Sequence, residues 1–134
     1  MSRTRLDVVL EKIRDILGGF LREIRVLAHY VVNDKEYLKI RIELETGFIE
    51  IREYLTSGYV KNYAYYFEYQ NKRVWWNNKP HHKEVTTYPH HKHEDGIVKP
   101  LEKHDLEDFL GYVRKYVKTP TREKRNKAQR EKSA

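Results

Sequence analysis

Leu6, Val9, Leu10, Ile13, Ile16 and Leu17 recur at steps of three and four, the spacing that gathers apolar side chains on one face of a helix. Thr4 followed by Asp7 reads as a capping-box variant. Gly18-Gly19 stops the run, so a helix is expected over residues 4–17. The period then changes to two. Ile24, Val26, Ala28, Tyr30 and Val32 fall on one side of an extended segment. After a turn at Asn33-Asp34, Leu38, Ile40, Ile42 and Leu44 alternate with Tyr37, Lys39, Arg41 and Glu43, as a half-buried strand requires. Glu45-Thr46-Gly47 reads as a turn whose glycine supplies a positive φ. Residues 48–55 and 59–69 continue as strands, and Gln70-Asn71-Lys72 turns into a fifth at 73–76. Connections this short make the strands antiparallel, because a parallel crossover needs a dozen or more residues.

From residue 77 to residue 100 the pattern breaks up around Pro80, Pro89 and Pro100. It resumes at about Asp105, where Leu106, Phe109, Leu110, Val113 and Val117 define a second amphipathic helix. The expected fold class is α+β: an antiparallel five- to six-stranded meander sheet packed by an N-terminal and a C-terminal helix. No internal repeat is visible. A single domain is expected over residues 1–117.

Composition changes this picture in three ways. Much of the 39% hydrophobic share is aromatic, with 11 Tyr, 4 Phe and 2 Trp, and tyrosine suits a thin sheet or a contact surface because its ring packs while its hydroxyl stays wet. The alternating Tyr63, Tyr65, Phe67 and Tyr69 read as one packed strand face rather than a base-stacking ladder. With no cysteine, disulfides and thiolate metal sites are excluded. No apolar run approaches the ~20 residues of a membrane span, and residues 1–10 lack a signal-peptide pattern, so a cytoplasmic location is expected. Net charge is +7, but seven basic and two acidic residues in 118–134 place +5 of it in a tail without apolar periodicity, expected to be disordered. Such a tail can draw in a polyanion.

Five of the seven histidines fall within thirteen residues: His81, His82, His90, His91 and His93. Thr86-Thr87-Tyr88-Pro89, between the clusters, is expected to form a short strand or extended edge that brings them together. Trp75-Trp76-Asn77-Asn78-Lys79 lies just upstream. Flat rings for bases beside cations for phosphates are what a single-stranded nucleic-acid groove requires. His29 reads as structural and His104 as a neighbour of a helix cap.

Two chemistries fit the cluster. Imidazole titrates near neutrality, at about 6.5 when unperturbed. One histidine can therefore take the proton of a ribose 2′-OH while another protonates the leaving 5′-oxygen, with no metal. Arg73, Lys79, Lys83 or Lys92 would then meet the charge growing on the phosphate. Alternatively, His91 and His93 share a face of an extended segment and, with His81 or His82, hold zinc.

The aromatic strand Tyr65-Tyr66-Phe67-Glu68-Tyr69-Gln70, then Arg73-Val74-Trp75-Trp76-Asn77-Asn78, Pro80-His81-His82 and Thr87-Tyr88-Pro89-His90-His91-Lys92-His93 together resemble the TumE family, the toxin components of TumE–TumA toxin–antitoxin pairs. The resemblance covers roughly residues 20–117. It implies a small intracellular toxin of a type II toxin–antitoxin system, neutralised by a cognate antitoxin protein and acting on RNA. The long N-terminal helix and the basic tail depart from the family pattern. By chemistry, His81, His82, His90, His91 and His93 are assigned to acid–base work in a metal-independent endoribonuclease. Arg52, Arg73 and Lys79 are assigned to phosphate contacts, and Trp75 and Trp76 to base stacking. The rival readings are a non-catalytic nucleic-acid- or antitoxin-binding module and a metal-dependent nuclease.

Overall fold

The computed structural model describes residues 3–118. Helix α1 (Arg5–Leu17) and a 3-10 turn (Gly18–Phe20) precede seven strands: β1 (Leu21–Val32), β2 (Lys35–Leu44), β3 (Gly47–Thr56), β4 (Tyr59–Tyr69), β5 (Lys72–Asn77), β6 (His91–Glu94) and β7 (Ile97–Pro100). Helix α2 (Leu106–Lys118) follows. The strands lie in one sheet in chain order, every neighbouring pair antiparallel. The fold class is α+β, with two strands more than the five legible by alternation.

Helix α1 begins as its sequence dictates. Thr4 accepts from the Asp7 amide and Asp7 reaches back to the Thr4 amide, a reciprocal capping box. Val9, Ile13 and Leu17 of α1 and Leu106, Phe109, Leu110 and Val113 of α2 are buried. They cover one sheet face made by Leu38, Ile40, Ile42, Ile49, Ile51, Tyr65, Phe67, Val74 and Trp76. Tyr63, Tyr65, Phe67 and Tyr69 all lie in this core, 6% exposed or less, so the tyrosine alternation does mark a packed face.

Two-residue loops join β1 to β2, β2 to β3, β3 to β4, β4 to β5 and β6 to β7. Ser57-Gly58 and Asp95-Gly96 both have positive φ at each central residue, the twist-matched hairpin turn. Gly47 is required for another reason than the positive φ expected of it. A Cβ there would lie 2.2 Å from the Glu68 carbonyl oxygen, so the β3–β4 pairing admits only glycine.

Three expectations need correction. In β1 the single phase from Ile24 to Val32 fails at a bulge between Val26 and Ala28. Beyond it His29 pairs with buried Leu38, whereas Ala28 and Tyr30 pair with Lys39 and Tyr37 on the other face. The Thr86-Thr87-Tyr88-Pro89 segment is a turn rather than a strand. The strand that unites the histidines is β6 itself, with β7 behind it. Lys118, expected as the first tail residue, ends α2. The rest of the expected tail, 119–134, lies outside the described residues.

Residues predicted to be structural histidines are so placed. His29 bonds Glu36 at 2.8 Å, and that carboxylate also accepts the amides of Arg5 and Leu6, tying the start of α1 to β2. His104 precedes the α2 cap, where Asp108 accepts from the Asp105 amide.

Candidate functional site

Directly paired residues in an antiparallel sheet share a face. The register therefore sorts the chemistry-bearing residues without further assumption. Trp76 pairs with Lys92 and Val74 with Glu94 on the helix side. Trp75 pairs with His93 and Asn77 with His91 on the side that neither α1 nor α2 covers among the described residues.

The five clustered histidines do not form one site. His82, His91 and His93 converge on the open face, with ring centroids 4.8, 5.3 and 5.1 Å apart. One ring nitrogen from each lies within 4.8 Å of the others. His90 points the other way. It stacks on His104 at 3.6 Å, nearly parallel, and its Nδ1 meets the Tyr63 hydroxyl at 3.0 Å. These rings border a cavity of about 380 Å³ that is also lined by Arg5, Tyr59 and Asp105. His81 is exposed in the connecting loop. His90 immediately precedes β6 and stacks on the helix side, whereas His91, the first residue of β6, pairs with Asn77 and faces the other way.

Hydrogen bonds fix the open-face group. His91 is 2% exposed, and its Nδ1 lies 3.0 Å from the Pro89 carbonyl. A carbonyl only accepts, so Nδ1 carries a proton, and in the neutral tautomer the other ring nitrogen presents the lone pair. His82 Nδ1 lies 3.1 Å from Glu84. His93 stacks on Trp75 with centroids 5.4 Å apart. Burial and the neighbouring His91 and His82 rings push the His93 pKa down, which favours its neutral form. Burial also lowers His90, with further help from His104.

The loop carrying His82 is pinned at both ends. Asn78 accepts from the Tyr63 amide and donates to the Lys61 carbonyl, and Asn77 accepts from the Lys79 amide. Thr87 donates to the His90 carbonyl and accepts from the Leu101 amide. Polar side chains thus replace the strand ladder where it lapses.

The two tryptophans part company. Trp75 faces the open side, with the Lys79 ammonium 5.3 Å from its ring centre. Trp76 is 4% exposed beneath Phe109 and Tyr112, so it packs the core and offers no stacking surface. Arg52 is exposed on β3 and shares a cross-strand row with Lys39, Ala64, Asn77 and His91. At strand spacings of roughly 4.8 Å the row carries Arg52 about 14 Å from His91. Among the described residues neither Lys39 nor Arg52 has an ion-pair partner, while Arg41 is committed to Glu43 and Glu50. Arg73 lies two rows away, 3.6 Å from Glu68. Lys39 and Glu84 were not singled out in the sequence. Lys39 was missed because the turn read at 45–47 spans only 45–46, and that length sets it opposite Arg52.

No helix of the described residues is long and apolar enough to cross a membrane. No curated protein and no solved structure matches the chain. A family model, toxin TumE, matches residues 9–118, a span that runs from within α1 through both histidine groups to the end of α2. Membership in a toxin family implies an antitoxin partner. The chain belongs to the toxin TumE family.

Proposed function

We propose that this toxin acts by cutting RNA on the open face of its sheet, with His82, His91 and His93 as the reaction centre. The single observation that carries the reading is the convergence of these three imidazoles beside Trp75. A flat ring for a base, the Lys79 ammonium near it and, along the His91 row, the cations of Lys39 and Arg52, which have no ion-pair partner among the described residues, supply what a single strand needs. Histidine supplies the proton transfer. The 2′-OH loses its proton to the cluster, through a ring nitrogen or a water the cluster holds. The 2′-oxygen attacks phosphorus, the bond from phosphorus to the 5′-oxygen breaks, and that oxygen leaves with a proton. The products are a 2′,3′-cyclic phosphate and a 5′-hydroxyl.

The metal-free scheme expected from the sequence places an acid and a base on opposite sides of one phosphate. Two hydrogen-bond reaches of about 2.6 Å or more each already exceed the 4.8 Å within which the three nitrogens lie. The three rings therefore serve one side of the reaction, and a metal-free route draws its acid from outside them, with exposed Lys79 or His81 nearest in sequence.

Purified toxin incubated with single-stranded RNA tests the reading. Cleavage with cyclic phosphate ends is expected, and a substrate with 2′-deoxy at the cut nucleotide should bind and remain whole. Absence of cleavage, or equal cleavage of the deoxy substrate, overturns it.

A further inference from the structure

We propose that His82, His91 and His93 form a binding site for one divalent transition-metal ion of the zinc type, with a fourth coordination position open on the uncovered face of the sheet. The claim stands on how the donors are held. His91 and His93 sit two apart on β6, so the strand aims both at the same side. His82 comes from the loop over them, and its ring stands edge-on to both at 66° and 71°. All three ring pairs meet edge-on, at 66°, 71° and 74°, and one nitrogen from each ring lies within 4.8 Å of the others.

The outer partners match what metal-ligating imidazoles require. A ligand histidine usually gives its second ring nitrogen to a carboxylate or a backbone carbonyl, which fixes the tautomer and the ring angle. Here Glu84 holds His82 and the Pro89 carbonyl holds His91. In both residues the nitrogen left over is the one turned away from that partner. His93 is braced by Trp75 instead.

Distance also fits. Bonds of about 2.0–2.1 Å in a tetrahedron set ligand nitrogens roughly 3.3–3.4 Å apart. The three nitrogens already lie within 4.8 Å, so closing the site takes about 1.5 Å at most, and His82 is on a loop between strands. The donor set selects the ion. Imidazole suits zinc, with nickel and copper as competitors, whereas magnesium and calcium take oxygen ligands. Three protein ligands with one vacancy is the arrangement of reactive zinc sites, since closed structural sites use four. The vacancy would hold a water that, once the ion has drawn off its first proton, receives the 2′-OH proton as hydroxide and becomes water again, and for that role alone the inference rests on the ribonuclease reading.

The chain is purified without a polyhistidine tag, stripped with a chelator, and titrated with zinc in a calorimeter and with cobalt by visible absorption. One ion per chain is expected, with a tetrahedral cobalt spectrum. His82→Ala and His93→Ala should each weaken uptake by more than the ~10–100-fold that loss of an outer partner costs, and Glu84→Gln should fall within that range. His81→Ala and His90→Ala should bind as wild type does. Melting curves on each variant confirm that it is folded, and exposed His81 and the loop residue His82 make the comparison independent of buried His91. Absence of stoichiometric uptake overturns the proposal, as does uptake unchanged in both His82→Ala and His93→Ala. Uptake without RNA cleavage overturns the ribonuclease reading and leaves the metal site standing. Cleavage without uptake does the reverse.

Discussion

His90 and His91 are neighbours in the chain and belong to different chemistries. His91 lies on the open face with His82 and His93, its Nδ1 tied to a carbonyl. His90 lies on the helix side, stacked on His104 and bonded to Tyr63, close to where α1 and α2 meet the sheet. Around His90 the polar groups satisfy one another. Arg5 clamps Glu53 at 2.7 and 3.1 Å, and Tyr65 donates to the same carboxylate at 2.5 Å. On the open face, by contrast, Lys39 and Arg52 carry charges with no ion-pair partner among the described residues. A group whose bonds are internally closed holds a fold together. A group with directed lone pairs and unspent charge is equipped to meet something else.

Substitutions on the two sides should therefore fail in different assays. The largest effect is expected at Arg5. Glu53 is 1% exposed, and Arg5→Ala would leave its charge buried without its main partner, at a cost of about 3–5 kcal/mol. Chemical denaturation measures this directly, and a loss below ~1 kcal/mol would show that the helix side is not held by this pair. Next in size is the paired change Lys39→Ala with Arg52→Ala. Each contact to a single-strand phosphate contributes about 0.7 to the slope of log affinity against log salt. Fluorescence anisotropy with labelled RNA should show that slope become shallower by roughly 1.4, with the melting temperature unchanged. An unaltered slope would remove this row from the RNA path.

Much of this was countable from residues alone. Both helices, their buried faces and the first five strands follow from periods of 3.6 and 2. Register comes from the turns: read as three residues at 45–47 and 70–72, they are two residues long, and that length places Lys39 opposite Arg52 and Ala64 opposite Asn77. The count stops at residue 77. The β5–β6 pairing closes across a loop with three histidines and two prolines, and no turn rule gives its register. That register decides which histidines face which way. It is why five histidines read as one cluster, whereas Trp76 was separable from Trp75 by alternation along β5 alone. The β1 phase was lost for a related reason, since a bulge at residue 27 has no mark in apolar spacing.

Smaller effects should follow the same division. Tyr63→Phe removes the hydroxyl that meets His90 and should cost about 0.5–1.5 kcal/mol while leaving RNA cleavage intact. A cleavage defect without a stability change would join His90 to the working site. The last effect is one of acidity. Burial opposes the Glu36 charge, but the Arg5 and Leu6 amides and His29 outweigh it and hold this carboxyl below its ordinary 4.5. A lowered folded pKa means the unfolded chain binds more protons in that range. The contribution is thus complete above about pH 4.5 and is lost as pH falls through the folded value. Melting temperature followed from pH 7 to pH 3 should drop less steeply in Glu36→Gln than in wild type. Parallel curves would show that the Glu36 anchor does not contribute to acid sensitivity.

The division itself is tested most directly by RNA cleavage rates of His93→Ala and His90→Ala, measured side by side on folded protein. The account predicts a fall of ~10²–10⁴ for His93→Ala, the usual worth of a proton-transfer group, and a rate close to wild type for His90→Ala. Equal rates in the two variants, or a loss confined to His90→Ala, would contradict it.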